Sequence, residues 1–110
     1  MEQPQGLQPS AEDRRVAQEA ERLDPGSLEE ITVFISQAVA VNAVGPDALI
    51  AIKAKIQAFH ARFGAKQTEQ LLFATYRHLR TIRRQGLLQD EESRFRAEEL
   101  VHLIFEGEIH

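Results

Sequence analysis

Apolar residues in this chain recur at spacings of three and four, and nowhere alternate with a period of two. A helix turns 100° per residue, so three-and-four spacing lines side chains along one face, whereas a strand needs alternation. Leu49, Ile52, Ile56, Phe59 and Phe63 step by three, four, three and four, a seam of the coiled-coil kind. Helices are expected throughout and a sheet nowhere.

Glycines punctuate the pattern. Gly26, Gly45, Gly64 and Gly86 separate apolar-striped segments, the first three spaced 19 residues apart and the last 22 further on. The segments share little beyond a stripe, so the period predicts helices of uniform length, not a solenoid repeat. Short connections make successive helices antiparallel neighbours. The expected fold is all-α: an antiparallel bundle of four helices, 27–44, 47–63, 66–85 and 90–106, plus a loosely attached N-terminal helix over 11–23. Residues 1–9, with two Pro, three Gln and one Gly, are expected to be a disordered tail before a single domain over 10–107.

Local signals support these boundaries. Ser10 can cap the first helix, with Asp13 placed as a capping carboxylate, but only Val16, Ala20 and Leu23 are available to hold it. Asp24-Pro25-Gly26 suits a turn, and Ser27 with Glu30 forms a capping box. Gly45 suits the left-handed position that ends a helix, and Pro46-Asp47 the start of the next. The segment 27–44 is apolar almost all round, which fits a central helix or a subunit interface.

Length and composition narrow the function. The 110 residues, 43% hydrophobic, can bury a core without staples, and the absence of cysteine removes disulfides and thiol chemistry. No leader-like start and no membrane-length apolar run are present, so a soluble cytoplasmic protein is expected. Glu99-x-x-His102 has the spacing of a di-iron ligand pair, but no second pair accompanies it, and neither a metal nor a cofactor is expected. The four histidines are scattered, and no nucleophile stands beside a base. The chain is therefore expected to be non-catalytic, with no small-molecule substrate evident.

Charge is segregated within a net of −4. Residues 11–30 carry seven acids and three Arg, 66–89 five bases and one acid, and 90–110 seven acids and two Arg. Acidic helices lying against the basic one would neutralise it; a free basic face would attract an anionic partner. Lys66, Tyr76, Arg77, Arg80, Arg83 and Arg84 are the candidates for that contact. The stretch 75–89, TYRHLRTIRRQGLLQ, resembles the end of a winged-helix recognition helix. The resemblance implies that Lys66, Gln67, Thr68 and Gln70 form a groove-reading first turn. It departs after Gly86, where a helical acidic segment stands in place of a two-stranded wing.

Phe34, Val41 and Val44 on the second helix, with Phe95 and His102 on the last, are candidate protein-interface residues. The function expected is a small helical adaptor or regulatory protein that binds another protein as a homo-oligomer. The alternative is a nucleic-acid-binding regulator using the basic face of 66–85.

Overall fold

A computed structural model describes residues 11–24 and 27–108. Among them are four helical elements and no strand: α1 (Ala11–Arg22), α2 (Leu28–Ala40), α3 (Pro46–Arg84) and α4 (Glu91–Phe105). None is long and apolar enough to cross a membrane. The proposed tail, the Ser10 cap and the Pro25-Gly26 turn lie outside the described residues.

The long α3 is two helical stretches meeting at Gly64, whose φ of 90° and ψ of 172° are not helical. That region of backbone space is essentially open to glycine alone. A straight helix of 39 residues would measure about 58 Å, more than the 41 Å longest dimension of the whole molecule. The bend at Gly64 therefore turns the basic stretch away from the line of the apolar seam, as its punctuating role predicts.

Gly45 is a correction. The helix before it ends at Ala40, not Val44, and Asn42 takes the left-handed position with φ of 56°. The Ala43 N–H donates to Ala38 O at 2.9 Å and the Asn42 N–H to Val39 O at 3.2 Å. These are the paired bonds of a Schellman ending, in which Asn is tolerated next after Gly. Gly45 is instead extended, and is the N-cap residue of α3. Gly86 does close its helix as predicted, with φ of 96° and the same two bonds, Leu87 N–H to Ile82 O and Gly86 N–H to Arg83 O.

Asp13 reaches beyond its own helix. It is buried on α1, and its carboxylate accepts from the N–H groups of Gly45 (2.8 Å), Asp47 (3.0 Å) and Ala48 (2.9 Å). Pro46 has no N–H, so one carboxylate from another helix meets every donor that the start of α3 leaves unbonded. Val16 and Ala20 are buried beside it. The thin apolar stripe of α1 thus has a polar anchor that three-and-four spacing does not reveal. The opposite face of α1 carries a solvent-side ladder, Arg15 bonded to Glu12 at 2.6 Å and to Glu19 at 2.7 Å.

The core forms where the stripes meet. Ile31, Ile35 and Val39 of α2 pack with Ile52, Ile56, Phe59, Leu71, Leu79 and Ile82 of α3. Ala97, Leu100, Val101, Ile104 and Phe105 of α4 complete it. Thr68 and Thr75 enter this apolar layer by donating their hydroxyls back to Gly64 O and Leu71 O. Lys53 on α3 donates its ammonium to Leu103 O at 2.9 Å and Glu106 O at 3.3 Å, satisfying carbonyls at the C-terminal end of α4.

Candidate functional site

Rotation along α3 splits the basic stretch into two faces. Lys66, Arg77 and Arg84 stand within about 20° of one another around the axis, with Arg80 about 40° away. Tyr76 and Arg83 are turned to the same side as Arg80, about 80–100° from Lys66 and Arg84. All five cations are exposed. Phe73 falls on the same line as Lys66, Arg77 and Arg84 and is 51% exposed, making a row about 27 Å long of three cations and one aromatic ring.

The acidic α4 lies beside the basic stretch, as charge adjacency suggests, with Glu98 on the hollow that Arg80 and Arg83 line. Among the described residues, no carboxylate lies within ion-pair distance of Arg77, Arg80, Arg83 or Arg84. The acidic helices pair with their own arginines instead: Arg94 with Glu98 at 3.6 Å, Arg96 with Glu92 at 3.2 Å, and Arg15 within α1. Neighbours at i+4 on one helix meet without any tertiary ordering, so they take these carboxylates first.

Tyr76 stands on the α4 side of the basic stretch. Its ring is half-buried and meets His102 at a tilt, centroids 5.7 Å apart. Its hydroxyl is buried and has no hydrogen-bond partner. Burial, and then the negative charge of Glu98, push the phenol above its ordinary value, so at neutral pH it remains a donor. The ring lines a cavity of about 220 Å³ between α3 and α4, with Leu79, Arg80, Arg83, Leu88, Arg94 and Glu98. Three arginines and one carboxylate therefore border one hollow with leucines and the Tyr76 ring in its wall. Arg94, Glu98 and Leu88 were not among the sequence candidates. Arg94 and Glu98 carry the i,i+4 spacing of an ordinary surface pair, and only the fold brings them opposite Arg83.

The interface candidates divide. Val41 is 59% exposed and Phe95 63% exposed, and His102 is exposed. Val44 is only 4% exposed, because α2 stops before it and the following loop carries it into the core. Phe34 is half-buried, and lines a groove of about 330 Å³ with Val41, Ala38, Ala43 and Leu87. Leu87, 59% exposed, joins this groove from the turn after Gly86 and was also missed, since a Leu-Leu pair outside any helix has no periodicity to read. The groove's polar edge is Arg15 and Glu19, already paired with each other.

Two other expectations meet the structure here. Thr68 is fully buried, which removes it from the groove-reading turn implied by the winged-helix resemblance. The segment after Gly86 is α4, with no strand there to make a wing. Glu99 and His102 share a shallow hollow with Leu72 and Glu106. Among the described residues no three His, Asp or Glu side chains are grouped to hold a metal ion. The chain matches no protein-family profile, no curated protein and no solved structure.

Proposed function

We propose that this chain is a non-catalytic adaptor or regulatory protein of the cytoplasm, which acts by binding another protein and assembles with copies of itself. The observation that carries this is the apolar groove of Phe34, Val41 and Leu87, open to solvent between paired charges. Covering a Val or Leu side chain contributes about 1.5–3 kcal/mol when burial is complete. An apolar floor with a neutralised rim suits a partner of like character, and a second copy of the chain offers one in self-complementary form. In this reading the helices form an antiparallel bundle, supported by Tyr76 meeting His102 while Arg83 and Arg94, further along each helix toward the connecting turn, share one cavity. That the module is non-catalytic rests on the scattered histidines and the lack of a nucleophile beside a base.

Sedimentation across a concentration series tests the assembly. The native chain is expected to dimerise with little response to salt, since apolar contacts are unscreened. Val41→Glu with Leu87→Glu is expected to yield a monomer of unchanged helical content. A native chain that stays monomeric at every concentration overturns self-assembly, and a double variant that still dimerises overturns the groove.

One observation favours a second reading, a nucleic-acid-binding regulator. The row Lys66, Phe73, Arg77 and Arg84 combines unpaired cations with an exposed ring, the pairing that single-stranded nucleic acid uses for backbone and base. Retardation of single-stranded DNA or RNA at low salt, falling steeply as salt rises and lost in Arg77→Glu/Arg84→Glu, is its expected result. No retardation at low salt removes it.

A further inference from the structure

The hollow between α3 and α4 gathers three arginines from two helices around one space. Arg80 and Arg83 of α3 have no ion pair among the described residues. Arg94 of α4 is held only at 3.6 Å by Glu98. The Tyr76 hydroxyl is buried without an acceptor. With three guanidiniums against one carboxylate, the lining carries a formal charge of +2. Leu79, Leu88 and the Tyr76 ring supply apolar wall, and the space is about 220 Å³.

We propose that this cavity binds a phosphate monoester with a short apolar body. Such a group carries −1.5 to −2 charges at neutral pH and three strong acceptor oxygens, which match a +2 lining better than a singly charged carboxylate does. Guanidinium forks bind phosphate oxygens in pairs, and two of them three residues apart on one helix can grip a single group from one side. The phenol oxygen, closed off from the hollow in the free chain, gains the acceptor it lacks when its ring turns toward the bound group. The leucines cover the organic part of the ester. A nucleic-acid backbone is a poorer occupant, because its diester carries one charge per phosphate and would engage Arg77 and Arg84, which face away from the cavity, at least as strongly. The cavity shares no lining residue with the Phe34–Val41–Leu87 groove, so the site does not depend on self-assembly.

The chain contains one tyrosine and no tryptophan, so its ultraviolet emission reports on this cavity alone. Propyl phosphate, inorganic phosphate and butyrate are titrated at constant ionic strength. Saturable change in Tyr76 emission is expected with propyl phosphate, weaker binding with inorganic phosphate, and butyrate weaker by about tenfold. Arg80→Gln and Arg83→Gln are each expected to weaken propyl phosphate about tenfold, with the helical signal unchanged. Arg77→Gln and Arg84→Gln are expected to leave it as it was. A short neutral peptide carrying phosphoserine separates two sources of the same chemistry. Tighter binding than propyl phosphate assigns the site to a partner's phosphorylated side chain, and equal or weaker binding assigns it to a free small molecule. No saturable change with any phosphate, or equal losses in the Arg77 and Arg84 variants, overturns the proposal.

Discussion

Two polar clusters in this molecule are built from similar materials and finished differently. At the junction of α1 and α3 a buried carboxylate, Asp13, accepts from three backbone N–H groups within 3.0 Å. Between α3 and α4 three guanidiniums border a hollow with only Glu98 in reply, and the buried phenol beside it has no acceptor. A polar group that the fold has satisfied contributes to stability; one left unsatisfied costs stability and is kept for some other reason. The first cluster is architecture. The second has the character of a binding site, and the contrast between them can be measured.

The largest effect is expected at Asp13. Asp13→Ala leaves Gly45, Asp47 and Ala48 without acceptors at a buried helix start, and is expected to cost about 3 kcal/mol by chemical denaturation. Asp13→Asn keeps one oxygen and is expected to recover part of that loss. If Asp13→Ala costs less than about 0.5 kcal/mol, as ordinary surface substitutions do, Asp13 is not an anchor and the contrast fails at its structural end.

Asp90 is the exposed counterpart of Asp13. It caps α4 locally, accepting from the Ser93 N–H at 2.7 Å and from the Ser93 hydroxyl at 3.1 Å. The Ser93 backbone bond, then its hydroxyl, hold the Asp90 carboxyl below its ordinary value. A carboxyl lowered in the folded state adds stability that is fully present above the ordinary carboxylate value and is lost as pH falls through the folded one. Asp90→Asn retains a capping oxygen but does not titrate. Its melting temperature is therefore expected to differ from that of the native chain by a constant amount near neutral pH, with the difference changing as pH falls through the acid range. Parallel profiles across that range would show that the cap does not depend on charge.

Spacing and backbone chemistry encode several features of this fold locally. The seam Ile52, Ile56 and Phe59 is buried, Gly64 and Gly86 interrupt the helices with positive φ, and α4 begins at the Asp90 cap. The local pattern misleads where two residue types compete for one task. Asn42 took the left-handed position that Gly45 suited equally, and four residues of expected helix became the loop that buries Val44. Asp13, placed for local capping, also accepts from backbone more than 30 positions away. The cavity was half legible: Tyr76, Arg80 and Arg83 stood out as cations beside an aromatic ring. Arg94, Glu98 and Leu88 could not, because nothing in a one-dimensional pattern tells an ordinary i,i+4 pair on α4 that it will face α3.

The smallest expected effect carries the most discrimination. Tyr76→Phe removes a hydroxyl that has no partner and keeps the ring against His102. An unsatisfied buried hydroxyl costs about 1–3 kcal/mol, so its removal is expected to leave stability unchanged or raise it by up to about 1 kcal/mol. Thermal and denaturant unfolding read this directly. The same substitution is expected to weaken propyl phosphate several-fold, followed through amide chemical shifts because the fluorescent reporter is gone. Stability held and binding lost is the signature of a group kept for a ligand, and the reverse of what Asp13→Ala should show. If Tyr76→Phe instead destabilises the chain by more than about 1 kcal/mol, the hydroxyl has a structural partner in solution, and the two clusters are alike after all.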